Sequence, residues 1–295
     1  MQLTVYNLLI NLQNLLKRMM VMTTTRRGYL NEPYRLFHSS DQRDLDFEAH
    51  SHDFHKLVFC LSGKVSYVME GLTYSLGTGD LLRIPQHQIH QSRLYSNAVY
   101  ERYILWINDS FLCSFHEPAL TDLFVQADPS GRELYHPTAA QRREMIDKLR
   151  QVELFFQADQ PGHQLMADTY LLQFLLELSA QLRHSSPAPD KAVASDPRFS
   201  SILSYINQHL QEDLSIERLS GMFYLSPSYL MHTFRKRTGC TVHQYIQQKR
   251  LMYAADLIRQ GEGIAQAAQC SGFSDYTAFL RAFRKMYGCA PSEIR

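Results

Sequence analysis

The chain is poor in cysteine and has none of the paired spacings that metal-binding or redox motifs use. Its five cysteines are odd in number, form no Cys-x-x-Cys pair, and lie at Cys60, Cys113, Cys240, Cys270 and Cys289. Secreted disulfide scaffolds use even, closely spaced sets, whereas isolated thiols are typical of reducing compartments. The sequence therefore predicts a cytoplasmic protein without a disulfide framework.

The sequence also lacks an apolar run long enough to cross a membrane. Residues 1–22 are the most apolar stretch, but polar side chains interrupt them at Asn7, Asn11, Gln13 and Asn14, and Lys17 and Arg18 follow. A spanning helix needs about 18 apolar residues, and a signal peptide carries its positive charges before the apolar core. Residues 1–28 are therefore interpreted as an N-terminal extension, either a short amphipathic helix or an overlong start, and no export is predicted.

The remaining chain is long enough for two domains. Residues 184–197 (HSSPAPDKAVASDP) are rich in Ser, Pro and Ala and show no periodicity, which is the composition of a linker. Each flanking part has enough residues for its own core. The predicted division is an extension at 1–28, a domain at 29–183, the linker at 184–197 and a second domain at 198–295.

The second domain contains one pattern twice. Residues 216–240 (IERLSGMFYLSPSYLMHTFRKRTGC) and 264–289 (IAQAAQCSGFSDYTAFLRAFRKMYGC) each predict a short helix, a tight break and a second helix ending in Phe-Arg-Lys-x-x-Gly-Cys. Ser226 and Ser274 are the predicted N-caps, and Gly239 and Gly288 the predicted left-handed stops. This layout is typical of DNA-reading helix-turn-helix units. Residues 241–260 predict one connecting helix of about 25–30 Å, close to one turn of B-DNA, about 34 Å.

This domain resembles the DNA-binding domain of AraC/XylS transcription regulators. The resemblance lies in Ala267-Ala268, Gly272-Phe273, Phe283-Arg284 and Gly288-x-x-Pro291 of the second copy. It implies double-stranded DNA as a partner, with base contacts near the start and middle of both second helices. Leu230, Phe234, Phe279 and Phe283 are expected in the core. The predicted DNA-binding residues are therefore Ser228, Met231, His232, Arg235, Lys236, Tyr276, Thr277, Leu280, Arg281 and Arg284.

Charge is distributed unevenly between the two parts, although the net charge is only +1. From Asp196 onward the chain has 12 Lys and Arg against 8 Asp and Glu, which leaves 18 against 21 before it. The positive balance of the second domain is modest for a nucleic-acid binder. Tight binding is therefore expected to need two copies of the chain on one operator.

The first domain predicts short antiparallel strands and, after them, two helices. Residues 57–61, 65–69, 73–76 and 81–84 are strand-like, with turns at Glu70-Gly71 and at 77–80. Such a pattern indicates a small barrel or jelly roll. Helices are predicted at 138–157 and 162–183, and the leucine-rich second helix either packs on its own domain or forms a dimer interface. The resemblance favours a homodimer. The predicted fold class is α+β.

The strand segment resembles a cupin, and specifically the effector-sensing cupin of AraC-type regulators. In metal cupins, two histidines, a glutamate four residues after the second and a later histidine bind one metal. Here His50, His52 and His90 are present, but Lys56 replaces the glutamate and His87 replaces a glycine. An ammonium near the site repels a divalent cation, so no metal or cofactor is predicted. The side chains expected to line a pocket for a sugar or sugar acid are His50, His52, Lys56, Arg83, His90 and Trp106.

These features predict a ligand-responsive, sequence-specific transcription regulator rather than an enzyme. Activation of carbohydrate-utilisation genes is the expected output, with RNA polymerase as a possible further partner. One alternative is a metal-dependent cupin enzyme with a helical appendage. Another is a constitutive DNA binder whose cupin only dimerises. The twin helix-turn-helix and Lys56 favour the regulator.

Overall fold

The computed structural model describes residues 30, 32–41, 48–94, 99–124, 133–157, 160–184, 192–193 and 197–294. The predicted N-terminal extension lies outside these residues. No helix in the described ranges is long and apolar enough to span a membrane.

The N-terminal domain contains two antiparallel sheets, which confirms the expected α+β class. The strands are β1 (Tyr34–Asp41), β2 (His55–Ser62), β3 (Val65–Met69), β4 (Leu72–Leu76), β5 (Leu81–Ile84), β6 (His90–Arg93), β7 (Tyr100–Ile107), β8 (Leu134–Tyr135) and β9 (Ala192–Val193). One sheet has the order β1-β7-β2-β5-β8 and the other β6-β3-β4-β9. Strand β9 lies within the segment predicted as a linker, and it pairs with β4.

Two cores form because alternate residues of the larger sheet face opposite sides. Val58 and Cys60 of β2 face the second sheet and pack with Tyr67 and Tyr74. Leu57 and Phe59 face the other way, toward the helices. Those helices are α1 (Asp109–Cys113), α2 (Pro118–Thr121), α3 (Ala139–Phe156) and α4 (His163–His184). A capping box between Thr138 and Gln141 opens α3.

The C-terminal domain is helical. Its helices are α5 (Pro197–Gln208), α6 (Ile216–Met222), α7 (Pro227–Thr238), α8 (Val242–Arg259), α9 (Ile264–Cys270) and α10 (Tyr276–Tyr287). Leu230 and Phe234 of α7 lie in one core with α5 and the start of α8. Phe279 and Phe283 of α10 lie in a second core with the end of α8. Helix α8 thus supplies residues to both helix-turn-helix cores.

The caps of the two second helices agree with the sequence except at one position. Ser226 caps α7, and Gly239 and Gly288 end α7 and α10 in the left-handed conformation. The expected Ser274 cap is wrong, because the Asp275 carboxylate accepts from the backbone N–H groups of Thr277 and Ala278. The second copy is one residue longer than the first, and Ser274 is the added residue before the cap.

Candidate DNA-reading helices and effector site

Helix α7 buries two of its side chains and exposes the predicted DNA-reading face. Leu230 and Phe234 are buried, as expected from their spacing of four. The opposite face is exposed to solvent and consists of Ser228, Met231, His232, Arg235 and Lys236. All five predicted contacts on this helix are therefore accessible to DNA.

Helix α10 exposes the matching face of the second copy, with one partial exception. Tyr276, Thr277, Arg281 and Arg284 are exposed. Leu280 is half-buried and packs against the core, because it borders the stripe formed by Phe279 and Phe283. The predicted DNA contacts of this helix are accessible apart from most of Leu280.

The turn before α7 carries a side chain that the sequence did not single out. Tyr224 has a backbone φ of 53° although it is not glycine. The residue is 88% exposed. The same turn of the second copy holds Gly272 at φ 90°. Aligning the two copies places Tyr224 opposite Gly272. An aromatic residue at the position of a turn glycine could therefore have been recognised from the sequence.

The structure brings together four of the six predicted effector-site residues in a cluster at one end of the N-terminal domain. The ring centroids of His50 and His90 are 4.4 Å apart, and those of His52 and His90 are 4.9 Å apart. His52 and His90 are buried, and His50 is exposed at the edge of the cluster. Burial, followed by the nearby Lys56 charge, holds the pKa of His52 and of His90 well below the usual histidine range.

An aromatic wall adjoins this cluster and includes Trp106, the fifth predicted residue. The His52 ring stacks on Phe54 with centroids 4.1 Å apart, and Phe54 lies 4.6 Å from Trp106. Lys56 and Trp106 are cross-strand partners on β2 and β7. Partners in a pleated sheet project to the same face, so both belong to the side that faces the second sheet. The Lys56 ammonium lies 5.8 Å from the Tyr67 ring centroid.

Arg83 is the one predicted effector-site residue that the structure does not bring to the cluster. It pairs with Leu57 across β5 and β2, so its side chain projects from the opposite face to Lys56. Its guanidinium donates to the Leu123 carbonyl at 2.5 Å. The sequence grouped Arg83 with the pocket candidates, but the strand register directs its side chain to the opposite face of the sheet. His55 also faces away from the cluster, and its Nε2 lies 3.3 Å from an Asp109 carboxylate oxygen.

The β3–β4 hairpin contacts the C-terminal domain. Glu70 and Gly71 form its tip with φ of 46° and 77°, which is the geometry of a tight hairpin turn. The Glu70 carboxylate accepts from the Lys249 ammonium of α8 at 2.7 Å and also from the Tyr245 hydroxyl. A Cβ on Gly71 would lie 2.5 Å from the Phe199 ring of α5. Glycine is therefore required at this close approach.

A second set of charged groups joins the domains beside the histidine cluster. Arg259 of α8 pairs with Asp53 at 2.8 Å, and His87 lies 3.4 Å from Asp256. Burial raises the pKa of Asp53 and of Asp256 to about 6 and lowers that of His87 to about 4. His87 is therefore neutral at neutral pH, and Arg259 is the cation of this set. A small, partly open cleft lies here, lined by Ser51, His52, Asp53, His87, Met252, Met286 and Tyr287.

The histidine cluster and the domain contacts share two short segments. Residues 49–53 carry His50 and His52 together with Asp53. Residues 87–91 carry His90 together with Ile89, which packs in the α5–α7–α8 core. Backbone hydrogen bonds in both directions between His50 and His90 tie the segments together. A displacement of either histidine therefore acts directly on residues that contact the DNA-reading domain.

The described residues contain no group of three His, Cys, Asp or Glu side chains arranged to hold a metal ion.

Comparison with known proteins gives the same two-part organisation. Residues 32–175 match the family described as AraC-like ligand binding domain, and residues 219–295 match that described as Helix-turn-helix domain. The HTH-type transcriptional activator RhaS of Enterobacter sp. (strain 638) is 26% identical over 254 residues, covering 84% of this chain and 87% of that protein. RhaS of Escherichia coli (strain K12 / DH10B) is 25% identical over 253 residues, covering 85% and 88%.

Among solved structures, ToxT from Vibrio cholerae is 16% identical, covering 89% of this chain and 97% of that chain at a TM-score of 0.36. The two family matches occur in the order in which the strands and the helix-turn-helix repeat occur along the sequence. The chain therefore belongs to the AraC-type transcription regulators and is a ligand-responsive, DNA-binding protein.

Proposed function

We propose that this chain activates carbohydrate-utilisation genes in the cytoplasm when a sugar or sugar acid binds the histidine cluster. The observation that carries the proposal is the position of that cluster, on the same two segments that contact α8. A ligand there interacts with the residues that hold the DNA-reading domain. The relatives named activator RhaS support the direction of the output.

Base reading in this proposal is divided between α7 and α10. Ser228, Met231 and His232 of the first helix, and Tyr276, Thr277 and Arg281 of the second, meet base edges, with Leu280 as a partly buried neighbour. Arg235, Lys236 and Arg284 lie toward the basic helix ends and meet phosphates, which position the protein without specifying sequence. Helix α8 connects the two cores and sets the spacing of two half-sites, about one helical turn.

The effector switches the protein only if it binds two arrangements of the domains with different affinity. In the described arrangement, Lys249 and Arg259 of α8 are bound to Glu70 and Asp53. An effector that moves residues 49–53 or 87–91 alters the relative stability of this arrangement. Contact with RNA polymerase then follows from the arrangement that the effector favours.

A homodimer is the proposed active assembly, formed at the end of the α3–α4 hairpin. Apolar side chains are exposed there on both helices, with Leu154 60% and Leu165 69% exposed. Clustered exposed apolar residues are typical of interaction surfaces. The remainder of α4 is used inside the domain, because Leu171, Phe174, Leu175 and Leu178 are buried. A Leu154→Glu/Leu165→Glu variant is expected to sediment as a monomer, and an unchanged dimer would place the interface elsewhere.

Selection of genomic fragments by the purified full chain tests the proposed function. At near-physiological salt we expect enrichment of a few sites with two half-sites about one helical turn apart. A variant carrying His232→Ala and Arg281→Ala is the matched control, since both residues are exposed and leave the cores intact. Enrichment that is equal for the two proteins would contradict sequence-specific reading by these helices.

A further inference from the structure

The two buried histidines of the cluster present hydrogen-bond acceptors to their surroundings. Nδ1 of His52 lies 2.6 Å from the Phe54 carbonyl, and Nδ1 of His90 lies 3.0 Å from the Gln88 carbonyl. A carbonyl only accepts, so Nδ1 carries the proton in both rings. Burial keeps both imidazoles neutral by lowering their pKa. Each Nε2 is therefore a bare lone pair.

Both Nε2 atoms are buried and have no hydrogen-bond partner in the described part of the chain. The residues themselves are 5% and 0% exposed. A buried polar atom without a partner costs free energy, and such atoms mark places where an unseen group belongs. The group that satisfies a bare imidazole nitrogen is a donor, such as a hydroxyl.

The neighbouring strand pair presents donors instead. The indole Nε1–H of Trp106 is buried and has no partner among the described residues. Lys56 is its cross-strand partner, and no carboxylate of the described residues is among the groups that shift the Lys56 pKa. The charged group that acts on Lys56 is Arg102, which is itself a cation and pairs with Asp41. Arg102 therefore supplies no counter-charge to Lys56. A half-buried ammonium and a buried indole N–H thus lie on adjacent strands, and neither has an acceptor among the described residues.

We infer that the site takes a polyhydroxylated monocarboxylate, a sugar acid, whose hydroxyls donate to Nε2 of His52 and His90 and whose carboxylate accepts from Lys56 and Trp106. This inference rests on the proposed function, in which the cluster is the effector site.

Other ligand chemistries leave part of the site unsatisfied. A neutral sugar satisfies the imidazoles but leaves the half-buried Lys56 ammonium without a counter-charge. A carboxylate without hydroxyls pairs with Lys56 but leaves both Nε2 lone pairs unmet. A dicarboxylate brings its second anion against those lone pairs. Only a molecule with donors at one end and an anion at the other meets all four side chains.

Intrinsic fluorescence provides a direct test, because Trp106 is the one tryptophan in the sequence. The full chain is titrated with glucuronate, galacturonate, gluconate and galactonate, with glucose and galactose, and with hexanoate. We expect at least one sugar acid to change the emission saturably and to bind about tenfold or more tightly than its parent sugar and than hexanoate.

Variants then assign the two ends of the ligand. Lys56→Met keeps the length of the side chain and is expected to remove the preference for acid over parent sugar. His52→Phe keeps an aromatic ring to stack on Phe54. It is expected to weaken binding of the sugar acid about tenfold while leaving the affinity for hexanoate unchanged. Lys64→Ala, at an exposed lysine on the turn between β2 and β3, is the matched control and keeps wild-type binding. Circular dichroism establishes that each variant is folded.

Several outcomes overturn the inference. A parent sugar that binds as tightly as its acid, an acid preference that survives Lys56→Met, or no emission change with any acid each contradicts it. A stoichiometric divalent metal in the purified protein also contradicts it, because the Nε2 atoms would then be ligands. Fragment selection is measured independently, so enriched operators with a failed titration overturn the ligand class and leave the regulator standing.

Discussion

At the scale of single residues, the direction of polar atoms distinguishes the proposed effector site from an ordinary core. His50, His52 and His90 occupy positions at which a cupin places metal ligands, yet Lys56 stands where a carboxylate is needed. With Lys56 in place of that carboxylate, the site favours a negatively charged ligand over a metal cation. The same residues therefore support an anion site.

The first prediction concerns the pH dependence of sugar-acid binding. Burial, followed by the Arg102 charge, lowers the pKa of Lys56 to about 8. The ligand carboxylate stays ionised throughout this range, so affinity requires the protonated lysine. The dissociation constant is expected to be flat below pH 8 and to rise up to about tenfold per pH unit above it. Titration of Trp106 emission from pH 6 to 10 measures this, and Lys56→Met should show no such rise.

The second prediction concerns base reading by Arg281. This side chain is exposed in the middle of α10, opposite Phe279 and Phe283. Arg281→Ala is expected to weaken binding to the selected operator by about 1–3 kcal/mol and to relax specificity at one position. Electrophoretic mobility shifts on operator variants measure both effects, with Lys64→Ala as the control. Loss of affinity that is uniform across all variants would assign Arg281 to phosphate instead.

At the scale of elements, the two helix-turn-helix copies differ by one residue, and the structure locates that difference at the N-cap of α10. Ser226 and Asp275 are equivalent caps, and Ser274 precedes its cap. An acidic cap also interacts favourably with the helix dipole. The second recognition helix consequently begins one residue later than the repeat alone indicates.

The third prediction separates the two candidate caps. Asp275→Ala is expected to destabilise α10 by about 1 kcal/mol, because two N–H groups lose their acceptor. Ser274→Ala, on the adjacent exposed residue, is expected to have almost no effect. Hydrogen exchange of the α10 amides in the full chain measures the local stability. Equal effects of the two substitutions would show that Asp275 is not the N-cap of α10.

The fourth prediction concerns the β3–β4 hairpin tip. Gly71→Ala places a methyl group against Phe199 and Leu203 and also strains a φ of 77°. Gly162→Ala strains a φ of 84° but meets no atom within 4 Å, so it controls for backbone strain alone. We expect Gly71→Ala to increase protease cleavage between the domains beyond Gly162→Ala. The same cleavage rate in both would mean that the tip does not contribute to the domain contact.

At the scale of the whole molecule, the β3–β4 hairpin and the ion pair between Asp53 and Arg259 connect the N-terminal domain to α8. Tyr245, which bonds to Glu70, also packs edge-on against Phe234 with centroids 5.3 Å apart. Phe234 belongs to the recognition helix α7. A rearrangement of the Glu70 contact would therefore be transmitted through Tyr245 and Phe234 to the core that supports α7.

The fifth prediction tests this connection. Lys249→Met removes the cation that faces Glu70, and it is expected to destabilise the full chain by about 1–3 kcal/mol because the carboxylate stays half-enclosed. Adding Glu70→Gln should recover part of that loss, since the two residues interact directly. Thermal unfolding of the single and double variants measures the coupling. Strictly additive effects would show that the pair does not join the domains.

The sequence by itself determined the local structure and the family resemblance. The repeat, its capping glycines and the Leu230–Phe234 and Phe279–Phe283 spacings predicted α7, α10 and their buried faces, because helical periodicity is a local property. The Glu70-Gly71 turn was also predicted, because turn signals depend on adjacent residues. The cap at Asp275 could have been predicted from the sequence, because the second copy is one residue longer than the first.

The tertiary structure decided what depends on register and on contacts between distant residues. Arg83 faces away from the cluster because its pairing with Leu57 sets its side of the sheet. The contacts of Glu70 with Lys249 and of Asp53 with Arg259 join residues about 180 and 206 positions apart. No local pattern encodes such pairs, because they arise only when both domains are folded and packed together.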